Sequence, residues 1–505
     1  MPSYTPTIGL EIHVELKTKT KMFCDSPNNP EEIRPNTNVC PVCLGHPGTL
    51  PTINKEAIKS VIRVGMALNG EINPETKFDR KNYFYPDLPK GYQISQYDKP
   101  LVIGGSLNGI TLTRIHLEED TGRLLHESQI VKHESGINDS RSKIHDSSLV
   151  DFNRAGVPLM ELVTEPEIKS AEEAVNFAKE LQLILRYLGV SNADMEKGQM
   201  RVEVNISLGK WSKGMWKQGT KVEIKNLNSF GAVSGSIEHE IKRQAEVIKT
   251  GKVHQETRGW DDTKKVTVSQ RSKEEAHDYR YFPEPDLPPF ETSALNLEEL
   301  KISLPELPAA KRDRFMWEYK LEGAKLESLI VDQRLAGFFE EAVSELKTFL
   351  PADLPVKDSS SEGNASSATS TLFNYLTSDL VGLIKESESN FADLKIKPED
   401  LAHLAFLIDS GKILSRGAKD ILRKMFESGV DPEDILNAEG LHVVSDVSEL
   451  EKVVKDIIAE NPAAVADYKK GKTASIQFLI GKAMSKLKGR GNPESLQKLF
   501  EKNLN

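Results

Sequence analysis

Glutamate and histidine recur at every second position in short segments of the 505-residue chain. In Ile8–Leu16, apolar residues alternate with Glu11 and His13, which is the period of a β-strand with one buried and one polar face. Arg201–Ser207 repeats the pattern with Glu203 on its polar face. For any one such strand, the simpler interpretation is a sheet face that is exposed to solvent.

Two further segments carry carboxylates in the same way. Glu223 lies in the alternating stretch Thr220–Lys225, and His116–Asp120, which includes Glu118 and Glu119, ends another strand. Carboxylates converging from four strands would repel one another unless a cation held them. Oxygen ligands with one imidazole favour Mg²⁺ or Mn²⁺, which could bridge the phosphates of a nucleotide.

No Walker motif accompanies these carboxylates, because Gly471-Lys-Thr473 has Ala466 where the upstream glycine would be required. The alternative nucleotide-binding segment is 77–87, which is both basic and aromatic. Its cations could clamp phosphates, and its tyrosines could stack on a base or on the end of an RNA. The candidate residues are Lys77, Asp79, Arg80, Lys81, Tyr83 and Tyr85. A structural loop with packed aromatic rings remains the alternative.

The three cysteines are Cys24, Cys40 and Cys43, and the last two form a C-x₂-C pair. A structural zinc site normally has four ligands, for which Asp25 or His46 would have to complete the set. Plain buried thiols are the alternative.

A lysine-rich stretch without acidic residues covers 469–490. Ile476, Ile480, Ala483 and Leu487 recur at helical spacing and predict a buried stripe. The basic residues Lys482, Lys486, Lys488 and Arg490 are candidates for contact with the body of an RNA, although such a run is often only a solvated face.

The order of these elements predicts an α+β protein. A helix is expected over 171–188, with a capping box of Ser170 and Glu173. The proline-rich segment 281–289 is expected to be an extended boundary, and 357–370 a flexible Ser-rich loop. We expect a mixed or antiparallel-sheet cradle domain over 1–292 and two all-helical domains over 293–408 and 409–505.

The composition is that of an ordinary globular protein, with 28% charged residues and a net charge of −10. No apolar run approaches the ~20 residues needed to cross a bilayer, and the N-terminus lacks the pattern of a signal peptide. Three cysteines form no disulfide framework, so a cytoplasmic location is expected.

Six blocks of this chain closely resemble, in the same order, the B subunits of aspartyl/glutamyl-tRNA amidotransferases, of the bacterial type. The blocks are Gly9–Leu16, Lys77–Asp87, Leu117–Asp120, Asp151–Leu159, Lys225–Phe230 and Asp278–Asp286. The C-terminal half resembles that family more loosely.

The resemblance implies a glutamine-hydrolysing carbon–nitrogen ligase (EC 6.3.5.-) acting in translation. ATP and Mg²⁺ would serve to phosphorylate the side-chain carboxylate of misacylated Glu-tRNA(Gln) or Asp-tRNA(Asn). Ammonia from the amidase (A) subunit would then displace the phosphate, in a heterotrimer that also contains a small (C) subunit. Which of the two tRNAs is used stays open.

By the same resemblance, His13, Glu119, Glu203 and Glu223 are expected to ligate the magnesium ion. Glu11 and Glu118 are expected to hold its waters. Family members commonly have aspartate where this chain has Glu203, and zinc-binding members have a second C-x-C pair where this chain has Cys24-Asp-Ser26.

Two other functions are alternatives. A non-catalytic tRNA-binding scaffold is favoured slightly by the absent Walker motif. A free-standing synthetase is suggested by Gly45–Gly48 and Met484–Lys486, but both short motifs fall in the wrong structural context.

Overall fold

The computed structural model describes residues 4–126, 148–212, 215–272, 279–349, 365–443, 447–487 and 490–504. The chain divides into two compact units, Met1–Ala310 and Lys311–Asn505. A sheet-based first unit followed by a helical second unit confirms the predicted α+β class. The division into three domains at residues 292 and 408 stays a prediction.

The first unit is built on one large sheet with the strand order β16-β15-β14-β12-β1-β11-β8-β6-β2. Its pairs are antiparallel except for β14 with β15. These strands are β1 (Thr5–Glu15), β2 (Glu71–Ile72), β6 (Val102–Ile103), β8 (Ile110–Glu119), β11 (Pro158–Thr164), β12 (Met200–Ser212), β14 (Val222–Leu227), β15 (Glu256–Asp261) and β16 (Val266–Ser272).

Shorter strands complete the unit. They are β3 (Glu75–Thr76), β4 (Asp79–Asn82), β5 (Tyr92–Ser95), β7 (Ser106–Leu107), β9 (Arg123–His126), β10 (Ser148–Asp151), β13 (Met215–Lys217), β17 (Phe282–Pro283) and β18 (Phe290–Glu291). Strand β4 pairs with both β5 and β17. The proline-rich segment is therefore extended only at Phe282–Pro283, which lie beside the candidate nucleotide-binding segment, whereas 285–287 form a turn.

Alternation fixes which face of the sheet is buried. On β1, Leu10, Ile12 and Val14 are fully buried, as predicted. They belong to a core shared with the helices α1 (Lys55–Ala67), α2 (Ala171–Tyr187) and α3 (Phe230–Thr250). The opposite face of β1 is left to Glu11 and His13.

The predicted helix over 171–188 is confirmed as α2. The Ser170 hydroxyl accepts the backbone N–H of Glu173, as a capping box requires. The Glu173 carboxylate, however, accepts the N–H of Lys169 rather than that of Ser170. Gly189 follows with a φ of +67°, a left-handed conformation that glycine adopts without strain.

Helices α4 (Leu297–Ile302) and α5 (Pro308–Tyr319) lead into the second unit, in whose described residues the regular elements are all helices. The others are α6 (Gly323–Ile330), α7 (Gln333–Phe349), α8 (Ala365–Asn374), α9 (Val381–Glu386), α10 (Pro398–Asp409), α11 (Ser415–Ser428), α12 (Pro432–Glu439), α13 (Val447–Glu460), α14 (Pro462–Lys469), α15 (Ala474–Lys486) and α16 (Pro493–Leu504). A π-helical turn, Tyr375–Leu380, joins α8 to α9.

The prediction of a Ser-rich loop over 357–370 is wrong for its last part, because 365–370 belong to α8. Ala368 and Leu372 are fully buried one turn apart, so packing overrides the weak helix propensity of the serines. Residues 357–364 lie outside the described part of the chain. Among the described residues, no helix is long and apolar enough to cross a membrane.

Candidate active site

The polar face of the large sheet gathers side chains from five strands. Glu11 lies opposite Glu203 in the antiparallel register of β1 and β12. On the other side of β1, His13 lies opposite Glu161 of β11, which in turn lies opposite His116 of β8. Directly opposed residues share a face, so this register concentrates the carboxylates.

The first carboxylate group consists of Glu11, Glu203 and Glu223, whose nearest oxygens all lie within 4.8 Å of one another. The ammonium of Lys225 lies 2.8 Å from Glu203 Oε2 and 3.3 Å from Glu223 Oε1. Asn205 Nδ2 donates to Glu11 Oε1 at 2.8 Å. Burial, together with the neighbouring carboxylates, raises the pKa of Glu11. The group therefore holds three carboxylates against one ammonium.

Two observations support a cation in this group. The buried Asn205 Oδ1 has no hydrogen-bond partner among the described residues. A carboxylate trio beside an unused amide oxygen is the hard oxygen donor set that Mg²⁺ prefers. Although burial opposes it, the negative charge of Glu203 and Glu223 raises the pKa of Lys225, so the ammonium persists and partly offsets the excess negative charge.

The second carboxylate group consists of His13, Glu118 and Glu161. His13 Nε2 lies 3.3 Å from Glu161 Oε2 and 3.7 Å from Glu118 Oε1. His116 Nε2 lies 3.4 Å from the same oxygen of Glu161. Although burial opposes it, Glu161 raises the pKa of His13 to about 9, and Glu203 and Glu118 add to the shift. Burial by itself would raise the pKa of Glu161, but the neighbouring His116 and His13 lower it well below its usual value.

The four predicted magnesium ligands do not meet in one place. His13 belongs to the second group, and Glu203 and Glu223 belong to the first. Glu119 belongs to neither, because adjacent residues of a strand point to opposite faces. Its carboxylate lies 2.6 Å from Lys90 Nζ and accepts the backbone N–H of Ile94 at 2.9 Å.

Glu11 and Glu118, predicted to hold waters, are members of the two groups. Glu161 completes the second group and was not predicted. The signal was present in the sequence, since Glu161 is the single charged residue in the apolar strand Pro158–Thr164.

Glu119 faces a cleft of about 240 Å³. The cleft is lined by Cys24, Cys43, His46, Arg80, Lys90 and Asp286, among others. Lys90 supplies a cation here that the sequence did not single out, and no short motif marks it.

Two of the basic residues predicted to clamp phosphates, Arg80 and Lys77, already pair with acidic side chains of this chain. Arg80 donates to both oxygens of Glu284, at 2.7 and 2.8 Å, and its guanidinium lies 4.2 Å from the centre of the Tyr92 ring. Lys77 pairs with Asp79 at 3.3 Å and with Asp98 at 3.0 Å.

Lys81 faces the second carboxylate group. Despite its burial, Glu118, Tyr281 and Glu161 raise the pKa of Lys81, which keeps it positive. Of the predicted tyrosines, Tyr83 donates to Gln93 at 3.4 Å, whereas Tyr85 is exposed.

A cluster of tyrosine rings adjoins this segment. Tyr97 and Tyr281 stack with centroids 4.3 Å apart and planes 11° apart, and Tyr279 contacts both Tyr281 and Tyr83 edge-on. Tyr97 is 60% exposed, so one ring face of this platform is open to a ligand. Tyr279 and Tyr281 belong to the motif Asp278–Asp286, whose proline content by itself indicated only a boundary.

The three thiols lie within 4.8 Å of one another. Neither Asp25 nor His46 joins this group; the hydroxyl of Ser26 lies instead 3.9 Å from Cys43 Sγ. Fully buried Lys21 has its Nζ 3.8 Å from the same sulfur. A hydroxyl and an ammonium are poor substitutes for a thiolate, so the residues do not fit a closed four-ligand zinc site.

In the C-terminal helices the predicted stripe is confirmed, because Ile476, Ile480, Ala483 and Leu487 are all buried. The predicted RNA-binding side chains differ in availability. Lys482 is exposed, but Lys486 pairs with Asp456 at 3.2 Å and Glu460 at 2.9 Å. Arg490 donates to the carbonyl of Gly440 at 3.0 Å. Lys488 lies outside the described residues.

Comparison with known proteins assigns the whole chain. Residues 6–298 match the GatB/GatE catalytic domain, and residues 361–504 match a further GatB domain. Two relatives are named as the B subunit of aspartyl/glutamyl-tRNA(Asn/Gln) amidotransferase. The protein of Dehalococcoides mccartyi (strain CBDB1) is 45% identical, and that of Carboxydothermus hydrogenoformans 42% identical, each over 100% of this chain and 99% of its own length.

A third relative with the same name, from Thermotoga maritima, is 43% identical over 99% of this chain and 98% of its own length. Identity at this level along the full length, together with a family model that spans more than half of the chain, confirms the resemblance drawn from the six blocks. The chain belongs to the family of aspartyl/glutamyl-tRNA(Asn/Gln) amidotransferase B subunits.

Proposed function

We propose that this chain activates the misacylated tRNA in a tRNA-dependent amidotransferase. ATP phosphorylates the side-chain carboxylate of Glu-tRNA(Gln) or Asp-tRNA(Asn), releasing ADP. Ammonia then attacks the acyl carbon, phosphate leaves, and Gln-tRNA or Asn-tRNA is formed. Phosphate is a far better leaving group than oxide, which is why the carboxylate must be activated first. The observation that carries this proposal is the first carboxylate group, with its unused amide oxygen.

The first carboxylate group, two lysines and the tyrosine platform each have a role in this scheme. Glu11, Glu203 and Glu223 would hold Mg²⁺, which when bound offsets negative charge on the phosphates. Lys225 and Lys81 add fixed positive charge, so they favour the approach of an anionic phosphoryl group. The Tyr97–Tyr281 platform would stack the terminal base of the tRNA.

The ammonia would come from a partner, because nothing in the sequence suggests a glutaminase nucleophile. We therefore expect a heterotrimeric complex with an amidase (A) subunit and a small (C) subunit, working in the cytoplasm. The C-terminal helices would contact the body of the tRNA, with Lys482 as the most available of the predicted basic residues.

The experiment is a kinase assay on the heterotrimer, co-expressed with both partners and given Glu-tRNA and γ-labelled ATP. Glu203→Ala and Glu223→Ala should lower tRNA-dependent phosphorylation by at least about 100-fold, a loss typical of removing electrostatic stabilisation of a transition state. Glutaminase activity should survive. Glu56→Ala, an exposed glutamate on α1, is the matched control. Full phosphorylation by both site variants would refute the assignment.

A non-catalytic tRNA-binding scaffold is the second candidate. Lys225 favours it, because its ammonium already offsets part of the negative charge that would otherwise call for a metal ion. Mg²⁺-dependent ATP turnover that rises with Glu-tRNA would exclude the scaffold, and its absence in the intact complex would favour it.

A further inference from the structure

A two-stranded ribbon at the end of β12 carries an unexplained pair of tryptophans. We call it the Trp hairpin and define it as Lys210–Ser212 of β12 with Met215–Lys217 of β13. Trp211 lies opposite Trp216, and Lys210 lies opposite Lys217. Because opposed residues share a face, one face of the ribbon presents two indoles and the other presents two ammonium groups.

The hairpin holds Trp211 outward in a fixed position. Trp216 packs over Gly209, where a Cβ atom would come within 2.2 Å of the ring, so only glycine leaves room for it. Trp216 also donates to Gln218 at 3.4 Å. Trp211 contacts Trp216 edge-on with centroids 5.8 Å apart, yet 70% of Trp211 stays exposed.

This arrangement is unfavourable for the isolated chain. Like charges directly opposite each other destabilise a strand pair. An indole left in water forgoes the gain from burying its apolar surface. Both costs are removed if an anionic ligand with flat apolar faces binds the ribbon.

The local positive charge around the hairpin indicates which kind of ligand it would bind. No acidic residue occurs between Asn205 and Glu223, although the whole chain carries a net charge of −10. Lys217 and Lys221 are exposed, and no described acidic side chain pairs with them. An exposed, pre-positioned indole on one face of a narrow ribbon, with exposed lysines on its other face, combines a stacking surface with positive charge, which is how unpaired nucleotides are bound.

The Trp hairpin is too far from the carboxylate groups to contact the same part of a substrate. Trp211 lies eight residues beyond Glu203 on the same strand, or roughly 26 Å at about 3.3 Å per residue. A side chain at that distance cannot touch a substrate carboxylate that is phosphorylated beside Glu203.

We propose that the Trp hairpin binds an unpaired nucleotide of the RNA substrate, with Trp211 stacked on the base and with Lys221 and Lys217, the latter on the opposite face, attracting the phosphates of the strand as it passes the ribbon. This inference rests on the proposed function for the identity of the RNA as tRNA. It adds a substrate contact outside the catalytic face.

The test is the affinity of the intact complex for uncharged tRNA, measured by fluorescence anisotropy. Trp211→Ala should weaken binding roughly 5- to 150-fold, the range for loss of one stacked base. Trp211→Phe should retain most of the affinity, because a phenyl ring can still stack. Trp317→Ala is the matched control, since Trp317 is 75% exposed on α5 and no role is assigned to it.

A second arm separates stacking from charge. Affinity for a blunt RNA duplex should be unaffected by Trp211→Ala, whereas the double variant Lys217→Glu, Lys221→Glu should weaken both RNAs and flatten the dependence on salt. Circular dichroism and melting temperature check that each variant is folded.

Unchanged tRNA affinity in Trp211→Ala would overturn the proposal. Failure of the folded Trp211→Ala chain to assemble into the heterotrimer would also overturn it, because the hairpin would then be a contact with a protein partner. If the wild-type complex fails to phosphorylate Glu-tRNA but Trp211→Ala still weakens tRNA binding, the proposed function is refuted and the proposed RNA contact is supported.

Discussion

The two carboxylate groups lie side by side on one sheet face, yet their charges are balanced differently. In the first group, Glu11, Glu203 and Glu223 outnumber the ammonium of Lys225. In the second group, the carboxylate of Glu161 lies between two imidazoles, those of His13 and His116. With a proton on His13 and the ammonium of Lys81 facing the group, the two carboxylates of the second group are balanced, whereas the first keeps an excess of negative charge that suits an incoming cation.

The largest expected difference between the groups is in stability. Glu161 is 6% exposed, and its removal leaves both histidines without their shared carboxylate. Glu161→Gln should lower the free energy of unfolding by roughly 3 to 5 kcal/mol, the cost of breaking a buried charge pair. Glu203→Gln should change it by less than about 1 kcal/mol, because it also relieves repulsion from Glu11 and Glu223.

Urea unfolding of the metal-free chain, followed by circular dichroism, measures both values. Equal losses in the two variants would mean that the groups are not differently balanced.

The second prediction concerns pH and isolates the proton on His13. Its pKa is raised to about 9 from a value near 6.5 in the unfolded chain, so the protonated form stabilises the fold. This contribution is complete below about pH 6.5, falls as the pH rises, and is lost above about 9. Its size is on the order of 3 kcal/mol, since each pKa unit corresponds to about 1.4 kcal/mol.

Free energies of unfolding of wild type and His13→Gln should be compared from pH 6 to 10 in the presence of a chelator. The difference between the two should shrink steadily between pH 6.5 and 9, and taking that difference removes the contribution of other titrating groups. Parallel profiles would show that His13 is not held protonated.

The sequence predicted the strands of this face better than the groups they form. Period-two alternation placed Glu11, His13 and Glu203 on one polar face, because alternation is a local property of the chain. Register is not local. That Glu11 meets Glu203 and His13 meets Glu161 depends on how distant strands pair, and nothing within either segment encodes the pairing.

Other differences have equally physical causes. The assignment of Glu119 to the magnesium site came from the family pattern, whereas strand geometry turns it away from its neighbour Glu118 and toward Lys90. The platform of Tyr97 and Tyr281 joins rings far apart in sequence, so it emerges only in the fold. The helix over 365–370 exists because its few apolar residues find a core, which its serine-rich composition does not indicate.

The smallest expected difference is in cation binding, and it decides where the metal belongs. If the first group holds Mg²⁺, a concentration about 100 times the dissociation constant should stabilise the wild type by about 2.7 kcal/mol. Glu203→Gln and Glu223→Gln should lose this gain, and Glu118→Gln should keep it.

Lys225→Met should bind Mg²⁺ more tightly than the wild type. In the wild type the ammonium of Lys225, 2.8 Å from Glu203, competes with the ion for the same oxygens. Thermal unfolding with and without Mg²⁺ measures the shift. Loss of the shift in Glu118→Gln but not in Glu203→Gln would place the cation in the second group, with His13 as its nitrogen ligand.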